Sequence, residues 1–100
     1  MINIVIERKA SKDLDEIRRY IERDSQFYAN KTITEIFKKI DNLKYFPYMG
    51  RYDVPEYNSK KVRELIYKSY RIIYNFDSQN IYILRVMHHS RNISQLKINN

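Results

Sequence analysis

The residues with chemical potential gather between Arg63 and Arg91. This stretch carries Arg63, Lys68, Arg71, Arg85 and Arg91 and both histidines, His88 and His89, with Lys60 and Lys61 just ahead of it. They fall in three β-rich runs, Arg63 to Tyr67, Tyr70 to Phe76 and Ile81 onward, so a sheet would set the cations side by side. Cations gathered on one surface attract polyanions such as RNA or DNA, or an acidic protein partner. The overall charge of +7 is uneven. Residues 1–50 hold ten basic and eight acidic residues (+2), whereas residues 51–100 hold nine and four (+5). A His-His pair with no third histidine and no cysteine is a poor metal site, since zinc takes three or four protein ligands. Neither a metal nor a cofactor is expected.

The elements that must position these groups are legible in order. Asn3 to Glu7 is β-branched and reads as a strand. Ser11 is a candidate helix cap, with Asp13, Asp15 and Glu16 suited to a positive helix start. Ala10, Leu14, Ile17 and Ile21 then share one face of a helix ending near Arg23. Asp24 and Ser25 offer a second cap. Ala29, Ile33, Ile36, Ile40 and Leu43, with Phe37 alongside, mark a helix of about five turns that ends before Pro47. Residues 51–60 read as a loop. The predicted fold is α+β in the order β-α-α-β-β-β, a helical hairpin packed on one face of a mostly antiparallel four-stranded sheet.

Side-chain alternation divides the sheet. Tyr70, Ile72, Tyr74, Leu84 and Val86 form the expected helix-facing core, and Arg71 and His89 lead an open-face set. His88 alternates with Leu84 and Val86 and reads as a packed histidine. One domain of residues 1–100 is expected, with a tail from about residue 92 that either frays or docks. No apolar run reaches the roughly 18 residues that span a bilayer, the N-terminus lacks signal-peptide features, and the missing cysteine fits a cytoplasmic protein.

Taken in order, Ala10…Asp13-Leu14…Ile17…Tyr20-Ile21, Phe46-Pro47…Gly50-Arg51, Val62-Arg63-Glu64-Leu65, Tyr70-Arg71-Ile72-Ile73-Tyr74 and Ile83-Leu84-Arg85-Val86…His88…Arg91 resemble the RelE/ParE superfamily of type II toxin–antitoxin toxins. The uninterrupted helix pair and the ending Leu84 to Arg91 resemble the ParE-like branch more closely. That resemblance implies a growth-inhibiting toxin held by a cognate antitoxin encoded next door, with DNA gyrase as target. The RelE-like alternative is ribosome-dependent mRNA cleavage, and a degenerate, non-toxic binding module is a third reading.

The nuclease alternative has definite chemical needs. Metal-independent RNA cleavage requires a general base, a general acid and cations that stabilise a charged phosphorane. By the resemblance, Arg71 takes the place of a phosphate-stabilising arginine and His89 lies near a second catalytic position. A histidine titrating at about 6.5 can move a proton at neutral pH. Arg91 would add catalytic charge, while Lys60, Lys61, Arg63 and Lys68 would guide a nucleic-acid backbone or target. A tyrosine or lysine acid–base partner suitably placed after the last strand is missing. Arg71 has a second open role, an ion pair with Glu64 on the neighbouring strand.

Overall fold

A computed structural model describes residues 2–88. Its elements are β1 (Asn3–Ile6), α1 (Arg8–Glu22), α2 (Gln26–Asn42), β2 (Arg63–Tyr67), β3 (Tyr70–Phe76) and β4 (Asn80–His88). The sheet order is β1-β4-β3-β2, with β1 parallel to β4 and the other pairs antiparallel. The expected α+β architecture is therefore present, and β1 lies at an edge.

The two helices start differently. The Glu7 N–H still bonds the Ile83 carbonyl as an extension of the sheet, and helical geometry begins at once at Arg8. Ser11 therefore lies inside α1 rather than capping it, and Asp13 is carried into the second turn. Ser25 does cap α2: its hydroxyl accepts from the Tyr28 N–H at 3.1 Å. That bond satisfies one of the free donors of the first turn.

The helix-facing core joins Ala10 and Leu14 of α1 to Ile33, Ile36 and Ile40 of α2 and then Leu43, over Leu65, Ile72, Tyr74, Ile81, Ile83 and Val86. Phe37, expected beside this stripe, stays exposed. Leu84 also departs from its expected side. Ile73 pairs with Arg85 whereas Tyr74 pairs with Ile83, so β4 carries one extra residue at Leu84. Such a β-bulge inverts the alternation beyond it. Ile81, Ile83 and Val86 consequently share the helix face, while Leu84 packs on the opposite side.

That opposite side is not open. Tyr57 and Val62, with Val54 beside them, pack over Ile73 and Met87 to make a second, smaller core. The segment between Arg51 and β2 thus roofs the face expected to be bare.

Candidate functional site

The cations predicted to act together are distributed by this roof. Arg71 stands opposite Met87 on the β3–β4 ladder, and its Nη1 is 3.3 Å from Oε2 of Glu64. The Glu64 side chain is 4% exposed and that of Arg71 23%. Glu64 faces Ile73 across the β2–β3 ladder and Arg71 faces Ile66, so the two side chains meet on a diagonal. Among the described residues, Glu64 Oε2 and Arg71 Nε lack a hydrogen-bond partner. Charge, not an aligned hydrogen bond, joins them. Of the two roles left open for Arg71, the structure fills the pairing one.

Arg63 has a different employment. Its guanidinium donates to the carbonyls of Gly50 at 3.0 Å and Tyr48 at 3.3 Å. It also lies 5.1 Å from the Tyr48 ring centre and 4.8 Å from that of Tyr52. Lys61 stands 5.4 Å from the same Tyr52 ring. Below them the buried Tyr74 hydroxyl donates to the Pro47 carbonyl and accepts from the Gly50 N–H, both at 2.8 Å. A Cβ at residue 50 would come 2.6 Å from that hydroxyl oxygen, which explains glycine there. Burial raises the Tyr74 phenol above its ordinary value, opposed by the Gly50 bond and the Arg63 charge.

Lys60 and Lys61 border a depression of about 470 Å³ with Asn75, Phe76 and Tyr82. Lys60 closes a tight turn on Tyr57 through Asn58 and Ser59, both at positive φ. Lys68 lies in the β2–β3 turn and covers the Tyr67 ring at 5.5 Å. Lys60, Lys61 and Arg63 are thus brought together, whereas Lys68 and Arg71 lie toward the other end of the hairpin. His89 and Arg91 lie outside the described residues.

Arg85 reads from the sequence as a solvated or pairing residue; the structure shows the pairing and supplies the partner that spacing does not reveal. Arg85 Nε and Nη2 donate to the two oxygens of Asp13 at 2.7 and 2.9 Å, and the Val86 N–H donates to the same carboxylate at 2.9 Å. Beyond Ile83 the β4 edge no longer has β1 beside it. Asp13 supplies an acceptor there in place of a strand. The bond to Asp13 raises the Arg85 pKa, so this guanidinium stays charged. The available signal was an arginine interrupting the otherwise apolar set Ile81, Ile83 and Met87.

Next to this pair, α1 and β4 enclose a groove of about 580 Å³, with Ile17, Tyr20, Arg23, Tyr70 and His88 among its walls. Tyr70 and His88 meet edge to face at 5.9 Å. Burial, and secondarily Tyr20, raises the Tyr70 pKa. Among the described residues, no cluster of three or more side chains could hold a metal ion, and no helix is long and apolar enough to cross a membrane.

The family described as "ParE toxin of type II toxin-antitoxin system, parDE" matches residues 4–93. The structure is similar to a solved chain of the chromosomal ParDE TA system from P. aeruginosa, with a TM-score of 0.72 and 24% identity. The match covers 88% of this chain and 96% of that one. At this identity the likeness concerns the fold. No curated protein matches the sequence.

Proposed function

The chain belongs to the ParE toxin family of type II toxin–antitoxin systems, and we propose that it arrests growth by interfering with DNA gyrase while a cognate antitoxin holds it inactive. One observation favours gyrase over RNA as the target. The arginine that RNA cleavage would need, Arg71, is already paired with a buried carboxylate. Turning it toward a phosphate would strand Glu64 without its partner, a loss of about 3–5 kcal/mol for a buried charge. On this reading Arg71 supports the roofed face, and Lys60 and Lys61 meet the target. The groove between α1 and β4 offers a bed for an antitoxin segment that orders on binding.

The test is induced expression read by transcript mapping and a DNA-damage reporter, together with a supercoiling assay on purified gyrase. The expected result is growth arrest with a damage response, inhibited supercoiling and intact transcripts. Cleaved transcripts without a damage response would transfer the reading to mRNA cleavage, with Arg71, His89 and Arg91 as its candidate catalysts. Arg71→Ala separates the two again. Made together with Glu64→Gln, so that no buried charge is stranded, it should keep activity if gyrase is the target and lose it in a stably folded protein if RNA is cut.

A further inference from the structure

Between α2 and β2 the chain displays large apolar side chains that the fold leaves largely exposed. Tyr45, Phe46, Tyr48 and Tyr52 are 65, 64, 71 and 54% exposed, and Met49 is also open to solvent. Such residues normally cover a core, and aromatic residues with methionine and arginine are the ones enriched where proteins meet. Here they do not hang on a loose loop. Tyr74 fixes Pro47 and Gly50 from below, Arg63 fixes Tyr48 and Gly50 from the side, and the Phe46 N–H bonds the Asn42 carbonyl at the end of α2. A patch held in place before its partner arrives loses little freedom on binding.

Its charge indicates the partner. Lys44 meets Asp41 at 3.5 Å and Arg51 meets Asp53 at 3.6 Å, which leaves Lys60, Lys61 and Arg63 against Glu56 as the cationic excess beside the patch. We propose that the Tyr45–Tyr52 segment is the contact surface for the protein whose inhibition arrests growth, and that this partner presents an apolar recess ringed by acidic residues. The surface is separate from the α1–β4 groove assigned above to the antitoxin. The inference rests on the chain acting as a growth-inhibiting toxin and is indifferent to which protein is the target.

Tyr45→Ser/Phe46→Ser removes two exposed rings and leaves the Tyr74 and Arg63 bonds in place. The variant and the wild type are compared in the full chain for growth arrest on induction, for binding to the cognate antitoxin by calorimetry, and for thermal melting. Phe27→Ser/Tyr28→Ser, which removes two exposed aromatics from the start of α2, serves as the control. The expected result is arrest weakened at least about tenfold in the first variant, with antitoxin affinity, melting and the control unchanged. Full arrest by Tyr45→Ser/Phe46→Ser would overturn the proposal. So would loss of antitoxin binding in step with arrest, or an equal loss in the control. A wild type that arrests nothing would remove the toxin reading itself and this surface with it. If the double variant melts early, Met49→Ser carries the same comparison.

Discussion

The two faces of the sheet are held by different physics. Toward the helices, Ile72, Ile81, Ile83 and Val86 meet Leu14, Ile36, Ile40 and Leu43, and the buried groups are hydrocarbon apart from two tyrosines. Burial of apolar area drives such a face without regard to direction. Toward the roof, Ile73, Met87, Tyr57 and Val62 form a small apolar patch, with the buried Glu64–Arg71 ion pair alongside. An ion pair needs its two particular partners, and removing one leaves a stranded charge. The helix face can be written by periodic repetition of one residue class. The roofed face and the bulged β4 edge need particular residues, Glu64 with Arg71 on the first and Asp13 with Arg85 on the second.

The largest effect expected from this contrast is at Asp13. Asp13 and Arg85 are each 12% exposed, and the same carboxylate also satisfies the Val86 N–H. Asp13→Ala should cost about 3–5 kcal/mol in urea unfolding, because it leaves the Arg85 charge buried without its carboxylate. Asp13→Ala/Arg85→Met should recover a good part of that loss, since the stranded charge is gone. A double variant as unstable as the single one would mean that the Val86 bond, and not the ion pair, is what Asp13 supplies.

Neighbouring residues on one strand sharpen the contrast further. Ile72 and Ile73 are both fully buried, the first toward the helices and the second toward the roof. Truncation of a buried isoleucine to alanine costs about 2–5 kcal/mol, depending on how far the surroundings collapse. Helices pinned on a sheet collapse little, whereas an irregular roof can settle inward. Ile72→Ala is therefore expected near the top of the range and Ile73→Ala near the bottom. Equal losses, measured by the same unfolding titration, would show the roof to be as rigid as the helices.

The same division explains what was legible in the sequence. Ala29, Ile33, Ile36, Ile40 and Leu43 repeat at helical spacing, and all five are buried. Element order follows from such repeats and from the breaks between them. The bulge at Leu84 was not legible by strict alternation, because one extra residue exchanges the two sides of a strand from that point on. Nor does spacing reveal Asp13 with Arg85, which the fold joins across 72 residues. Arg71 was located on the correct strand side, yet the covering of that side depends on Tyr57 and Val62 folding back from a segment that reads as plain loop. The candidate site is thus legible as a set of residue types, while its division into pairs and clamps belongs to tertiary structure.

Tyr74 tests a place where the helix-facing core becomes polar. Tyr74→Phe removes both hydroxyl contacts and leaves the buried Gly50 N–H without an acceptor, an expected loss of about 1–3 kcal/mol. The variant should also change the alkaline limb of the stability curve. The folded-state pKa of Tyr74 lies above its ordinary value of 10.0, so its contribution is complete below pH 10.0 and fades as pH rises through the folded value. Arg85, raised in the same direction from a still higher ordinary value, adds nothing to that window. Melting measured from neutral pH upward should therefore fall less steeply in Tyr74→Phe than in the wild type. Tyr70, shifted the same way, would contribute to the part of the fall that remains.

The smallest effect is expected where an ion pair has neither face to support it. Asp15 and Arg19 meet at 2.8 Å on α1, close to the length of the Asp13–Arg85 contact, but they are 52 and 72% exposed. Water and salt screen such a pair, and ordering two mobile side chains offsets much of the attraction. Asp15→Ala should cost less than about 1 kcal/mol, and less again in high salt. The Asp13 substitution two residues earlier should keep its full effect under those conditions. If the two losses were similar, contact distance alone would account for both, and the contrast between buried pairing and surface pairing would have no support in this protein.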